Sequence, residues 1–158
     1  MSATGIERPI ELVPERVRAL LTARRGVLVL PMLPPPVLVP ETRAALAGAL
    51  TELGFMADGM SDFELISHGF DEGVLPALRC PYGRGGDVLW VRERWAQVGR
   101  GYRYFPFDRP ARGDDWLWHE PQRMPRDAAR LVLRICSVTV EQDAAGALVW
   151  RVEVEVCR

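Results

Sequence analysis

Between residues 79 and 134 the chain interleaves arginines with aromatic rings. It sets twelve Arg against seven Asp/Glu, together with Tyr82, Trp90, Trp95, Tyr102, Tyr104, Phe105, Phe107, Trp116 and Trp118. Guanidinium groups pair with phosphates and stack on bases, and aromatic rings stack on unpaired bases, so this composition fits contact with single-stranded nucleic acid. It fits equally a small β domain filled by large side chains, and Trp95 is expected in that core. The candidate contacts are Arg24, Arg25, Tyr82, Trp90, Arg92, Arg94, Trp118, Arg126 and Arg130. For Arg126 and Arg130 the alternative to phosphate or base contact is salt bridging to Glu93, Glu120 or Asp127.

No catalytic set emerges from the residue types. The 20 basic residues are all arginine, which excludes a lysine Schiff base, a lysine nucleophile and the lysine of a phosphate-binding P-loop. The run Gly83-Arg84-Gly85-Gly86-Asp87 precedes a strand pattern rather than opening a helix, so it reads as a turn with Asp87 capping backbone donors. Glu93 is the single acid–base candidate. It sits on the apolar side of its strand, where it either meets a buried arginine, the expected case, or marks a cleft. His68 and His119 with Cys80, Cys136 and Cys157 lack ligand spacing, so no metal, disulfide framework or cofactor is indicated.

The elements that must position these groups follow from periodicity. Residues 88–95 alternate: Leu89, Val91, Glu93 and Trp95 form the apolar side, and Trp90, Arg92 and Arg94 a candidate contact side. Upstream, residues 8–13 read as a strand, and residues 14–23 as a helix with Pro14 at its first position and Val17, Leu20 and Leu21 on one face. Gly26 is the expected cap of that helix, and residues 27–30 a strand buried on both faces. Five prolines between residues 31 and 40 make an extended spacer. A second helix is expected over residues 40–53, and a strand at residues 64–67. Further on, short strands are expected at 102–105 and 116–119, and an antiparallel hairpin of 131–141 with 148–156 about a turn at 143–146.

At 158 residues, with 48% apolar and 26% charged residues, one domain spanning 1–158 is expected, with an insertion at 31–78. No apolar run approaches the roughly 20 residues of a membrane span. A cytoplasmic protein with no membrane partner is therefore expected, its oligomeric state open. The formal charge of −1 argues against strong non-specific duplex binding, which depends on phosphate neutralisation.

Three stretches in combination resemble the ASCH-like branch of the PUA superfamily, in particular its small bacteriophage and prophage proteins. They are the strand–helix opening at residues 8–25, the pattern Cys-Pro-Tyr-Gly-x-x-Gly-Asp-x-Leu-Trp-Val-Arg-Glu-x-Trp at residues 80–95, and Met124-Pro125-Arg126 followed by Arg130 and a long strand. The resemblance implies an α+β fold, a small partly open PUA-like β-barrel with two packed helices and a C-terminal antiparallel hairpin. It also implies a cleft near the first helix that in relatives faces RNA or a modified nucleoside. The Lys-Thr pair of an amide-hydrolysing site in some relatives falls near Arg25-Gly26, where this chain has no lysine. The expected function is thus a non-catalytic module of phage origin that binds RNA or single strands. The alternatives are an amidohydrolase-like enzyme on a modified nucleoside using Glu93, and a protein-interaction module using residues 31–78.

Overall fold

The computed structural model describes residues 5–75 and 77–157. In chain order it contains β1 (Glu7–Glu11), α1 (Pro14–Ala23), β2 (Arg25–Pro31), α2 (Pro40–Glu52), α3 (Asp62–Asp71), β3 (Val88–Arg92), β4 (Trp95–Val98), β5 (Gly101–Tyr104), β6 (Val132–Gln142) and β7 (Leu148–Val156). Short 3-10 turns lie at Pro121–Arg123 and Arg126–Ala128. The fold is α+β. Five strands form an open mixed sheet in the order β1-β3-β6-β7-β2, and β4 with β5 forms a separate antiparallel pair. β1 runs parallel to β3 with Glu7 opposite Val88 and Glu11 opposite Arg92, while β3 runs antiparallel to β6 with Trp90 opposite Val132.

The chain divides into two compact units. The first comprises residues 1–26, 82–136 and 154–158; the second comprises residues 27–81 and 137–153. In the first, Ile10, Val17, Leu20, Leu89, Val91, Leu131, Leu133 and Ile135 are buried. A second cluster of this unit joins Trp95, Met124, Ala128 and Ala129, with Trp90, Tyr102 and Tyr104 packed on it. In the second unit α2 and α3 bury Leu46, Leu50, Ala57 and Leu65, with Phe55, Met60 and Leu75 around them.

Four expectations are corrected. The strand expected at residues 64–67 is part of α3, making three helices among the described residues where two were expected. Ser61 accepts from the Glu64 N–H while the Glu64 carboxylate accepts from the Ser61 N–H, a reciprocal cap that starts a helix, and Leu65, Ile66 and Gly69 then fall on a buried face. Arg24, not Gly26, takes the left-handed cap of α1, with φ 65° and its N–H bonded to the Leu20 carbonyl at 2.9 Å. Gly26 instead lies close against Leu20, whose Cδ2 would stand 2.9 Å from a Cβ there and would have to shift. β2 is an edge strand and buries only Leu28 completely, leaving Val29 exposed. The strand expected at residues 116–119 reduces to one antiparallel bridge between Trp95 and His119.

Candidate functional site

The pleat of β3 sets the site. Leu89 and Val91 are fully buried, and beyond the strand's last residue Glu93 continues on the same side with only 5% of its surface exposed. The opposite side is only partly open: Trp90 and Arg92 are half-buried, while Arg94, beyond the end of the strand, is exposed. Trp90 packs on the Trp95–Met124–Ala128 cluster, and the Arg92 guanidinium lies over the Trp90 ring, 4.9 Å from its centroid. Arg92 Nε and the Trp95 indole nitrogen are buried without a hydrogen-bond acceptor among the described residues.

One buried carboxylate sits at each end of β3. At its start, Asp87 accepts from the Ile6 N–H at 3.0 Å, the Arg84 N–H at 3.1 Å and Arg8 Nη1 at 2.9 Å. Burial pushes this carboxyl up, but the Ile6 N–H, the Arg8 guanidinium and the Arg84 N–H together outweigh it and hold Asp87 below the usual aspartate range. Gly83, at φ 126°, is required there because a Cβ would stand 2.9 Å from both Arg8 Nη1 and Asp87 Oδ2. The glycine-rich run is therefore a closed turn.

At the far end, Glu93 receives a two-pronged contact from Arg130, Nε to Oε2 at 3.0 Å and Nη2 to Oε1 at 2.8 Å. The Arg130 guanidinium is also flanked by rings, 4.3 Å from the Tyr104 centroid and 4.5 Å from that of Phe107. On another approach, Arg18 of α1 lies 5.3 Å from the Phe107 centroid. The Tyr104 hydroxyl donates to the Ala128 carbonyl at 2.5 Å. Burial, followed by the nearby Glu93 charge, raises the Tyr104 phenol above its usual range.

Glu93 also borders a cavity of about 260 Å³. Leu12, Pro14, Val17, Phe105 and Pro121 form its apolar walls; Glu93, Arg94 and Glu120 are its charged groups. It thus opens between the N-terminal part of α1 and the residues that follow β3. From its mouth runs a chain of stacked groups. The Arg94 guanidinium lies 4.7 Å from the Phe105 centroid, Phe105 meets Trp118 edge-on at 5.5 Å, Trp118 meets Trp116 edge-on at 5.8 Å, and Arg103 caps Trp116 at 5.8 Å. The Phe105 N–H donates to the Arg94 carbonyl at 2.9 Å, which joins the loop to the end of β3.

Of the candidates named from sequence, Arg94 and Trp118 fall on this surface, and Arg130 does not line the cavity but pairs with Glu93, which does. Arg126 pairs with Glu7 at 3.0 Å rather than with Glu93, Glu120 or Asp127. That contact holds the Glu7 carboxyl below its usual range and the Arg126 guanidinium above its own. Arg24 and Arg25 are exposed at the junction of α1 and β2, and Tyr82 is half-buried before the turn; none of the three lines the cavity. From sequence, Phe105 and Trp116 are named only in the aromatic set and Glu120 only as an ion-pair partner, none of them as a contact, and Arg103 is not named. The alternation Tyr102-Arg103-Tyr104-Phe105 carries the available signal, and reads as a short strand within the loop between Gly99 and Asp115 and not as a contact surface.

No group of three or more His, Cys, Asp or Glu among the described residues could hold a metal ion. No helix among the described residues is long and apolar enough to cross a membrane. No family model, curated protein or solved structure matches the chain.

Proposed function

We propose that the first unit binds single-stranded nucleic acid, RNA in particular, over the Arg94–Phe105–Trp118–Trp116–Arg103 surface, with one base entering the adjoining cavity. The observation that carries this reading is a run of three aromatic rings with a guanidinium group at each end, which begins at two residues, Arg94 and Phe105, that line the small cavity. Every base has a π face, so such a surface accepts a strand without regard to its order of bases, while exposed arginines meet the phosphates. Phe105 keeps 41% of its surface exposed, leaving a platform for stacking.

The proposal carries with it the resemblance to PUA-like proteins of phages, with a barrel-like arrangement of the strands and a place inside the host cell. The residues 80–95 pattern supports that part. An amide-hydrolysing role is less well supported, because both Glu93 oxygens are engaged by Arg130 and no lysine is available as a base.

Fluorescence anisotropy of short labelled RNA and DNA oligonucleotides at low salt tests the proposal. RNA should bind, more weakly as salt rises. Arg94→Ala and Trp118→Ala should each weaken binding about tenfold, as loss of one stacking or phosphate contact does. Absence of binding, or binding untouched by both substitutions, would falsify it.

A further inference from the structure

We infer that the cavity beside Glu93 is selective for guanine. This rests on the single-strand reading above and specifies which base enters. The volume, about 260 Å³, falls under the range of roughly 300–1,000 Å³ typical of drug-sized ligand sites, so it suits one ring system with little else. Its apolar lining includes the Phe105 ring, as a base's faces require, and of its charged groups Glu93 is buried while Arg94 and Glu120 are exposed.

The polarity of those groups makes the choice. Two are carboxylates, which only accept hydrogen bonds, and one is a guanidinium, which only donates. Glu93 is occupied by Arg130, whereas the Glu120 carboxylate has no salt-bridge partner among the described residues. Glu120 is thus the acceptor open to a ligand, and Arg94 the donor.

Among the four bases of RNA, guanine alone presents two neighbouring donors, N1–H and the exocyclic N2 amine, with the acceptor O6 on the same edge. A carboxylate takes the two donors side by side, and arginine donates to O6. Uracil presents its single N–H between two carbonyls, so one of them would face Glu120 unpaired. Cytosine and adenine each place a ring nitrogen acceptor beside their amine, with the same consequence. An acceptor held against a carboxylate loses its water and gains nothing, which is how a polar site rejects a near relative.

The experiment compares, with the full chain, a short oligouridine, the same oligomer with one central guanosine, and versions carrying adenosine, cytidine or inosine there. Inosine keeps N1–H and O6 and lacks only the N2 amine. Guanosine should bind about tenfold tighter than uridine, in keeping with one further charge-assisted bond and no carbonyl left facing Glu120, and inosine should fall between them. Glu120→Gln should erase the preference. Since Glu120 is exposed, an unchanged thermal midpoint would confirm the fold of that variant. Equal affinity for guanosine and uridine oligomers, a preference for adenosine or cytidine, inosine equal to guanosine, or a preference that survives Glu120→Gln each overturns the inference while binding itself stands. Failure of every oligomer to bind removes the underlying reading as well.

Discussion

The two ends of β3 use the same pair of chemical groups for different ends. Asp87 and Glu93 are both buried carboxylates held by an arginine, yet Asp87 collects two backbone donors as well and faces the Gly83 turn, whereas Glu93 meets a single arginine and borders a cavity. At the first end every available direction is filled by the chain. At the second, the carboxylate of the pair lines a space that the chain leaves open. A buried carboxylate is thus no guide to function by itself; what surrounds its remaining oxygen lone pairs decides.

The contrast can be broken most directly at Arg130. Removing this side chain in Arg130→Ala leaves the Glu93 charge buried and unpaired, which should cost about 3–5 kcal/mol in urea unfolding. The double variant Glu93→Leu/Arg130→Met should recover most of that loss, because matched apolar side chains replace a buried pair with little penalty. A loss under about 1 kcal/mol for Arg130→Ala, the level of an exposed pair, would mean that the pair is open to water and that the two ends are less different than described.

The next effect sharpens the Asp87 end. Its pKa is depressed in the folded chain, so the stability it contributes is present above the unfolded value, about 3.9, and is lost as pH falls through the lower folded value. Unfolding followed from pH 6 down to acid should show this loss, and Asp87→Asn should be less stable at pH 6 yet show a shallower decline below about pH 4. Identical acid limbs in the two proteins would show that the Ile6 and Arg84 donors do not favour the ionised form.

The smallest effect belongs to Arg126. Its pair with Glu7 is partly exposed on both sides, so Arg126→Ala should cost no more than about 1 kcal/mol. RNA affinity should stay within about twofold, since the side chain lies off the stacked surface and an exposed charge away from the contact contributes little. A large loss of binding would extend the interface to that side of β1.

Much of the framework was legible in the sequence because local rules settle it. Pro14 with Val17 and Leu20 marks α1, the β7 strand alternates cleanly, and the Leu89–Val91–Glu93 pleat puts a carboxylate inside, so a buried partner for Glu93 could be expected. Less legible was whatever depends on distant packing. On the far side of β3 Arg94 is exposed as the alternation suggests, but Trp90 is half-buried, because residues 124–129 and the β4–β5 pair supply a partial cover that no local pattern announces. Choosing Arg130 over Arg126 as Glu93's partner depends on where a 3-10 turn ends, which arginine spacing does not encode. In the same way α3 was hidden because its reciprocal cap, Ser61 with Glu64, sits in a stretch of weak apolar periodicity.

The two backbone donors on Asp87 differ greatly in chain separation, three residues for Arg84 and 81 for Ile6. The first bond closes with the turn itself, at almost no loop entropy. The second must wait until β1 has found its parallel place beside β3. Folding should then run from the 83–87 turn outward, with β1 docking late, so substitutions at Ile10 should speed unfolding more than they slow folding. The carboxylate that closes the turn early is also the latch that receives the chain's first strand at the end.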